Sequence, residues 1–548
     1  MKNITLDGST ICTDKDLIID LYREKAALRY KDNPIVAATS NGMLASLKDK
    51  IDDRAEIEGI RLFSPLGKRV YRKSLCLLLS YASSVLYPDR TLVIGHSLGD
   101  GFYFSYRDGF MPDTDTLKEV MKKAISEDMP IDLISVKGKD AEQYAEEHKL
   151  DETLRLLKSR NDDEYRFSRI GSCLSVYYEP VLPSLGLLEV WDLIRYQDGL
   201  LLRYPQSRNS LMIMPFSDNP LLFSVFSENK HIAANIGLES LGALNESVSE
   251  GTINERILIS ESVMHKRISS IADDIASRKN ARCVFISGPS SSGKTTSSMK
   301  LALELKAMGY RPVKISLDDY YLPTDEIPVD ENGEKDYEVL ESLNLKLFRD
   351  QLSRLLAGDE VHMAHFSFRK RTTEFSDKPT AMDDNTVLII EGIHGLNPAL
   401  APDISSSAVY RIYISALTQL NLDSKSRIST TDNRILRRLV RDYRTRGFDA
   451  VETLSRWPSV ERGEKNCIFP FQNNADAMLN SALEYEIGVL SVYAAPLLRS
   501  VRKETGAPFT TARRLLSFLS LVYPIPADAV PKDSILREFI GGSLFNAT

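Results

Sequence analysis

The chain has 548 residues, more than one hydrophobic core usually holds, so its length predicts two to four domains. Hydrophobic residues make up 43% of the sequence and charged residues 26%, both ordinary for a globular protein. The formal net charge of −7 argues against a generally basic nucleic-acid binder and leaves room only for a local basic patch.

The cysteines and the N-terminus both indicate a cytoplasmic protein. The cysteines lie far apart and include no CxxC pair, which is typical of a reducing compartment rather than a disulfide framework or a structural zinc site. They are Cys12, Cys76, Cys173, Cys283 and Cys467. The first ten residues, MKNITLDGST, lack the apolar core of a signal peptide. No apolar run reaches the roughly 18 residues of a membrane span, so we expect no membrane association.

The pattern of apolar residues and turn signals divides the chain into five parts. Residues 1–62 alternate strand-like runs (KNITL, PIVAATS, AEIEGIRLF) with a helical stretch, DKDLIIDLYREKAALRY, and predict a small α+β module. In residues 63–205 an apolar helix, YRKSLCLLLSYASSVLY, precedes the strand-like TLVIGHSLGDGFYFSYR. Residues 206–280 predict a strand at LMIMPFSD and then a helical connector. Residues 281–500 alternate strands with helices, and residues 501–548 predict a helical tail. The predicted fold class is therefore α/β, a parallel sheet wrapped by helices and preceded by α+β domains.

A glycine-rich loop stands between a predicted strand, CVFISG, and a predicted helix, TTSSMKLALELKAMG. Residues 288–295 fit the pattern GxxxxGK[ST] at every required position. In such a loop successive backbone N–H groups and the helix N-terminus bind phosphate oxygens. Lys294 is expected to reach the β- and γ-phosphates of ATP, and the Thr295 hydroxyl to bind Mg²⁺. The predicted ATP-binding residues of the loop are Gly288, Ser290, Ser291, Ser292, Gly293, Lys294, Thr295 and Thr296. A serine-rich turn that matches by chance is the alternative, and the flanking strand and helix argue against it.

Acidic residues follow two further predicted strands. Asp318 and Asp319 end PVKISLDD, and Glu391 follows the apolar run VLII. The carboxyl ends of parallel strands gather at one edge of a sheet, so these acids should face the phosphates. A carboxylate there can take the proton of an attacking hydroxyl or orient Mg²⁺. Helix capping or a simple turn is the alternative for the aspartates.

The stretch RILRRLVRDYRTR, residues 434–446, contains six arginines in thirteen positions. Most of them lie at three- and four-residue spacings, so one helix face should be cationic. This face is either a solvated helix surface or a lid that closes over ATP and neutralises charge in the transition state.

Together these segments resemble the uridine kinase and phosphoribulokinase family of P-loop kinases over residues 281–500. The stretch DDYY at residues 318–321 is similar to the family's D-S-F-Y, which implies that Asp318 is the general base for a sugar 5′-hydroxyl. The stretch DYE at residues 336–338 resembles N-F-D and implies that Glu338 binds ribose hydroxyls. The stretch EGI at residues 391–393 matches the strand that holds Mg²⁺, which implies a metal role for Glu391 beside Thr295.

The arginine stretch is similar to the family's lid pattern, RRxxRDxxxRG. The resemblance implies that Arg441 and Arg446 contact ATP phosphates and that Arg438 lies towards the acceptor. Two segments depart from the family. Ala364 and Arg369 replace an aromatic residue and a histidine that frame uracil, and Phe448 replaces an arginine. The residues implied for phosphate transfer are therefore present, but those that select the base are not.

The front half resembles a different family. LDGSTICTDKDLIIDLYREK looks like the TGS module that begins threonyl-tRNA synthetases, and residues 70–106 are similar to the second additional domain of those enzymes. That domain carries an HxxxH pair and a later CxxxH for metal binding and editing. Lys73 and Leu77 stand at the pair's positions here, and Tyr177 follows Cys173 where the later histidine would be. One soft ligand cannot hold a metal, so we expect a binding or scaffolding module without editing chemistry.

The sequence thus predicts an Mg²⁺- and ATP-dependent kinase for a nucleoside, fused to a synthetase-like region. A kinase for another alcohol, such as a sugar, is the first alternative. An RNA-associated regulatory ATPase whose front half binds tRNA is the second, and the acidic balance weighs against it. We expect a small-molecule acceptor and a homo-oligomer.

Overall fold

The N-terminal unit is a mixed sheet with one helix packed against it. The computed structural model describes residues 1–24, 33–160, 162–205, 212–278, 280–330, 333–367 and 372–545. The elements of this unit are β1 (Lys2–Leu6), β2 (Ser9–Thr13), α1 (Ile18–Glu24), β3 (Ile35–Ser40), β4 (Met43–Ala45) and β5 (Glu56–Arg61). The strand order is β2-β1-β5-β3-β4, with β1 parallel to β5. The three predicted strands are present as β1, β3 and β5, while residues 25–30 of the predicted helix lie outside the described residues.

The second unit combines a long apolar helix with two antiparallel sheets. Its elements are α2 (Pro65–Leu86), β6 (Leu92–Leu98), β7 (Gly101–Tyr106), α3 (Thr114–Ser126), β8 (Asp132–Lys137), α4 (Gly138–Glu147), α5 (Asp151–Lys158), β9 (Glu164–Ile170), β10 (Cys173–Val176), β11 (Asp192–Tyr196) and β12 (Gly199–Arg203). Helix α2 begins where the Ser64 side chain accepts the Gly67 N–H, with Pro65 at the first helical position. The sheets have the orders β11-β12-β7-β6 and β10-β9-β8.

The connector between the halves is helical. It consists of α6 (Pro220–Ile236), α7 (Leu241–Ser249) and α8 (Ile253–Ser277). The strand predicted at LMIMPFSD is not found, because the described residues 212–219 form no regular element and Leu211 lies outside them. Met212 and Met214 are more than half exposed, whereas Phe216 packs against a core beside Tyr196, so this run is partly buried without joining a sheet.

The C-terminal half is built on a parallel sheet, as the alternation of strands and helices predicts. Its elements are β13 (Cys283–Ser287), α9 (Lys294–Ala307), β14 (Arg311–Ser316), α10 (Leu345–Ala357), β15 (Ala364–Ser367), β16 (Thr372–Phe375), β17 (Thr386–Glu391), β18 (Val409–Ser415), β19 (Asn421–Asp423), β20 (Ser426–Arg427), α11 (Thr430–Thr445), α12 (Ala450–Gly463), β21 (Ala477–Asn480), α13 (Glu486–Arg499), α14 (Ala507–Leu519) and α15 (Arg537–Ile540). The order of the main sheet is β14-β17-β13-β18-β21, and every neighbouring pair is parallel.

Helices cover both faces of this sheet, which explains why its strands are apolar throughout. Val284 and Ile286 of β13 belong to a core that includes the connector helices and α11 to α15. Cys283 and Phe285 alternate with them and pack with α10 on the other face. The predicted tail contains α14 and α15 and returns to the first of these cores. No helix in the described ranges is long and apolar enough to cross a membrane.

The hairpin β19–β20 joins the C-terminal half to the second unit. The Ser424 carbonyl accepts the Ile94 N–H at 2.8 Å, and Asn421 Nδ2 donates to the Ile94 carbonyl at 2.7 Å. Lys425 Nζ donates to the Leu174 carbonyl at 2.6 Å. Hydrogen bonds from backbone and side-chain groups therefore join the two halves, so the halves meet in a specific orientation.

A buried network of four charges reinforces this contact. Arg69 of α2 lies 2.8 Å from Glu179 and 2.7 Å from Asp432 at the start of α11. Arg514 of α14 lies 2.7 Å from Asp432 and 3.4 Å from Glu179. Burial opposes ionisation of Asp432, but Arg514 and Arg69 outweigh it and hold the pKa of this carboxyl well below its usual range. The network therefore links the N-terminal region, α11 and the tail through one carboxylate.

We predict that Asp432→Asn destabilises the chain by about 3–5 kcal/mol, because it removes one of the two buried carboxylates that Arg69 and Arg514 share. Asp132→Asn is the matched control, since Asp132 pairs with Arg169 and Lys48 at the surface and should contribute at most about 1 kcal/mol. Urea unfolding at neutral pH measures both. Equal midpoints for the two variants would contradict the role of the network.

Candidate active site

The glycine-rich loop lies at the carboxyl end of β13, the central strand of the parallel sheet, and leads into α9. A Cβ at position 288 would lie 1.9 Å from the Ile414 carbonyl oxygen, so only glycine fits there. The Ser291 backbone has φ of 58°, a left-handed conformation that turns the loop. The Ser291 and Ser292 hydroxyls are buried, and neither has a hydrogen-bond partner in the described part of the chain. These two hydroxyls can donate hydrogen bonds to an anionic ligand bound in the loop.

Lys294 folds back onto this loop. Its Nζ donates to the carbonyls of Gly288 at 2.9 Å and Pro289 at 3.2 Å. Burial lowers the pKa of Lys294, against the opposing charges of Glu391, Asp318 and Glu538 around it. The loop lysine and the two predicted strand-end acids are therefore neighbours.

The two predicted metal ligands also meet. The Thr295 hydroxyl donates to Glu391 Oε1 at 3.0 Å. Burial raises the pKa of Glu391 to about 7, while Lys294 acts in the opposite direction. A hydroxyl beside a carboxylate offers the hard oxygen ligands that Mg²⁺ prefers, so these residues fit the ion.

Asp318 and Asp319 differ in what surrounds them. Both lie in a short 3-10 turn, Leu317–Tyr320, directly after β14. Asp319 lies 2.7 Å from His365 Nδ1 and accepts the Phe366 N–H at 3.2 Å, so it holds β15 in place. Asp318 is exposed, and Ser316 rather than an aspartate caps the turn. The structure therefore argues against the capping alternative for Asp318 and leaves its carboxylate open to the cleft.

Glu338 lies under the end of α12. A Cβ at Gly463 would approach the Glu338 Cβ to 2.3 Å, so glycine at the end of the helix makes room for this side chain. Burial raises the pKa of Glu338 to about 7, and Arg438 opposes this shift. Nearby, the Tyr321 ring packs edge-on against Tyr337 and Phe366 at 5.9 and 6.3 Å between centroids. These aromatic rings offer an apolar wall that the sequence did not identify, and Arg369 lies outside the described residues.

The arginines of α11 divide into two groups. Arg434 and Arg437 are buried and do not form a solvated face. Arg434 forms a bidentate pair with Glu464 and donates to the Ser290 carbonyl at 3.0 Å. Arg437 pairs with Glu486 and donates to the Ser291 carbonyl at 3.3 Å. These two buried side chains therefore stabilise the glycine-rich loop by hydrogen bonds to its carbonyl groups.

The second group gathers around one buried carboxylate, Asp442. Arg438 lies 3.2 Å from it, Arg441 2.8 Å and Arg446 3.6 Å. Arg438 also donates to the Ser290 hydroxyl at 2.7 Å. Asp442 thus orients the three arginines that the sequence predicts at the phosphates and the acceptor.

Two carboxylates already occupy N–H groups of the loop. Glu464 accepts the Ser290 N–H at 3.2 Å, and Glu538 of α15 accepts the Thr296 N–H at 3.1 Å. Lys300 of α9 also binds the tail, at 2.8 Å from Asp533. These contacts could not be predicted from the sequence, because neither acid stands in a motif and both are distant from the loop along the chain. In this structure the Glu538 carboxylate therefore binds the Thr296 N–H, a group that the sequence predicts to bind ATP.

The residues at the synthetase-like editing positions form no metal site. Lys73 Nζ donates to the Glu179 carbonyl at 3.3 Å and lies 3.4 Å from the Tyr178 ring centroid. Leu77 and Cys173 are buried, and the Tyr177 ring lies against Arg166. Within the described residues no group of three histidines, cysteines or acids could hold a metal ion. The five cysteines are free thiols.

Comparisons with known proteins separate the two halves. Residues 283–487 match the model of the Phosphoribulokinase / Uridine kinase family. Over 163 residues in the N-terminal region the chain is 29% identical to the threonine–tRNA ligase of Carboxydothermus hydrogenoformans. The aligned segment covers 29% of this chain and 26% of that protein. The curated relatives are each matched over only 16–31% of their length.

Two solved structures are also similar. A "Possible Uridine Kinase" from Bacillus stearothermophilus is 14% identical with a TM-score of 0.28, over 39% of this chain and 97% of that chain. D-glycerate 3-kinase from Cryptococcus neoformans is 14% identical with a TM-score of 0.21, over 48% of this chain and 90% of that chain.

The family match covers the glycine-rich loop, the strand-end acids and α11, and it excludes the front half. The chain is therefore similar to the Phosphoribulokinase / Uridine kinase family over residues 283–487 and to threonine–tRNA ligases over its N-terminal region.

Proposed function

We propose that the chain transfers the γ-phosphoryl group of ATP to the 5′-hydroxyl of a nucleoside of the uridine or cytidine type. The observation that carries this proposal is the open carboxylate of Asp318 beside Lys294, while the neighbouring Asp319 is engaged by His365. Arg438 donates to the Ser290 hydroxyl of the loop, and we assign Glu338 and Arg438 to the hydroxyls of the acceptor. The family match of residues 283–487 supports the kinase class, and the nucleoside acceptor is the proposed refinement.

In the proposed mechanism Asp318 accepts the proton of the acceptor hydroxyl as its oxygen attacks the γ-phosphorus. The bond to the β-phosphate oxygen breaks and ADP leaves. Lys294 moves from the Gly288 and Pro289 carbonyls to the phosphate oxygens, and Arg441 and Arg446 neutralise the charge on the transferred group. The Thr295 hydroxyl and Glu391 would hold Mg²⁺, which would supply charge neutralisation for the phosphates.

A kinase for a different alcohol is the second candidate, because the base-selecting segment departs from the family at Ala364. An acceptor screen distinguishes the two: ADP release is measured with uridine, cytidine and purine nucleosides against sugars and small hydroxy acids. Turnover restricted to non-nucleoside alcohols would replace the nucleoside proposal and leave the kinase assignment in place.

We predict that Lys294→Ala lowers kcat by at least about 10²–10³-fold, because a charge on the transferring phosphates is lost. The fold should persist, since Lys294 contacts only loop carbonyls. Lys306→Ala, an exposed lysine of the same helix, is the control and should leave ADP release unchanged. Near-normal turnover in the folded Lys294 variant would overturn the phosphate role.

We predict that Asp318→Asn lowers kcat by roughly 10²–10⁴-fold while the Kd for ATP changes little, because an amide of the same shape cannot take the proton. Asp319→Asn is the matched comparison and should mainly lower stability. A Mg²⁺ titration of the Asp318 variant separates a base from a metal ligand. Recovery of the rate at high Mg²⁺ would exclude the base role.

We predict that the KM for the acceptor rises as the pH falls below about 7, because Glu338 then loses the negative charge with which it accepts hydrogen bonds from the acceptor hydroxyls. The rise should be about fivefold between pH 7 and pH 6 if only the ionised form binds, because the ionised fraction falls from about one half to about one eleventh. Glu338→Gln should raise KM at every pH and abolish this dependence. A KM profile that is the same in both proteins would contradict the assignment.

We predict that Glu538→Ala tightens ATP binding by roughly tenfold, because it removes the carboxylate that occupies the Thr296 N–H. Asp528→Ala is the control, an exposed acid elsewhere in the tail. Calorimetric titration with ATP in the absence of acceptor measures both. Weaker binding by the Glu538 variant would mean that the tail forms part of the nucleotide site.

A further inference from the structure

A cavity of about 1580 Å³ lies where the N-terminal sheet, the second unit and the C-terminal helices meet. Residues of β5, α2, α11, α12 and α14 contribute to its wall. Ordinary small-molecule pockets occupy roughly 300–1,000 Å³, so the cavity has room for a ligand of that size. None of the loop residues 288–295, all of which the structure describes, lines the cavity, and the cavity plays no part in the proposed phosphate transfer.

One part of the wall is electrically balanced. Arg69 and Arg514 line the cavity together with Glu179 and Asp432, and these four side chains form the network described above. Two positive and two negative charges are within contact distance. This part of the wall has no need of an outside counter-ion.

A neighbouring part of the wall is not balanced. Arg72 Nε donates to the Lys68 carbonyl at 3.3 Å, and Lys73 Nζ donates to the Glu179 carbonyl at 3.3 Å. The Arg427 guanidinium faces the Phe102 ring at 5.4 Å. None of these three cations forms a salt bridge with a carboxylate anywhere in the described ranges.

The three cations surround one thiol. Burial raises the pKa of Cys76 to about 12, while the charges of Arg427, Arg72 and Lys73 act in the opposite direction. Burial also lowers the pKa of Lys73 to about 7 and that of Arg427 below its usual value. Buried like charges are costly without a partner, and an anion bound among them would offset that cost.

Aromatic rings accompany these charges. The Lys73 ammonium lies 3.4 Å from the Tyr178 centroid, and the Arg72 guanidinium lies 5.4 Å from the Tyr204 centroid. Trp457 of α12 also lines the cavity. Rings beside cations suit a ligand that has both a flat aromatic group and a negative charge.

We propose that this cavity binds a small nucleoside phosphate, with the phosphate among Arg72, Lys73 and Arg427 and the base against the aromatic rings. The walls come from three parts of the chain, which favours a small molecule over a long polyanion. The net charge of −7 likewise disfavours an extended nucleic acid.

This site shares a wall with the kinase centre. Trp457 lines the cavity and packs against Arg434 at 5.4 Å, and Arg434 donates to the Ser290 carbonyl of the glycine-rich loop. Asp432, another wall residue, stands two positions before Arg434 on α11. A ligand in the cavity thus contacts the helix that braces the loop.

Calorimetric titration of the full chain with adenosine 5′-monophosphate tests the proposal, in a Lys294→Ala background that weakens phosphate binding at the loop. Arg72→Met and Arg427→Met should each weaken binding by about tenfold or more, since each removes a charged donor. Arg195→Met, an exposed arginine of β11 outside the cavity, should bind like the parent. Adenosine and inorganic phosphate, titrated separately, should each bind more weakly than the nucleotide.

Thermal unfolding without ligand separates a binding role from a structural one. Loss of an uncompensated buried charge should leave the Tm of Arg72→Met and Arg427→Met unchanged or raise it. The proposal is overturned if the parent does not bind the nucleotide, if both variants bind it as the parent does, or if both variants lower the Tm. Binding of a tRNA transcript without binding of the free nucleotide would also overturn it.

Discussion

The buried charges of α11 constrain the rest of the structure. The five buried charged side chains of α11 all have to be neutralised, because an unpaired buried ion costs several kcal/mol. Asp432 is satisfied by Arg69 and Arg514, Arg434 by Glu464, and Arg437 by Glu486. These partners come from α2, the turn after α12, α13 and α14, so the position of α11 depends on all of them.

This constraint changes what the arginine-rich segment does. A lid that swings freely would need arginines that are solvated when it opens, yet Arg434 and Arg437 contact the loop carbonyls of Ser290 and Ser291 from within the core. The three arginines around Asp442 remain for ligands, while the exposed Arg444 donates to the Phe539 carbonyl. The first half of α11 is therefore fixed and supports the loop, while its C-terminal end carries the groups that can meet phosphate.

The sequence predicted the parts of the site that depend on local chemistry. The loop, the strand-end acids and the parallel sheet follow from motif, periodicity and the geometry of parallel strands, and the structure brings Lys294, Asp318 and Glu391 together as expected. The sequence could not predict which of Asp318 and Asp319 is engaged by a neighbour, because that depends on the position of His365. Nor could it predict the roles of Glu464, Glu486 and Glu538, whose partners are 30 to 242 residues away along the chain. The strand expected near Met212 failed for a similar reason: an apolar run becomes a strand only where a sheet edge is available.

The same constraint connects the two halves of the chain. Asp432 and Arg434 are two residues apart on α11; the first is held by the N-terminal region and the tail, and the second holds the Ser290 carbonyl of the loop. A displacement of Arg69 or Arg514 would alter the charge balance at one end of a helix whose Arg434 and Arg437 are held in buried ion pairs. The helix can respond only by moving as a unit or by losing a buried ion pair, and either change reaches the loop. The N-terminal region thus contributes, through Arg69, to the ion pairs that position α11. A change in its packing should therefore alter the position of the glycine-rich loop.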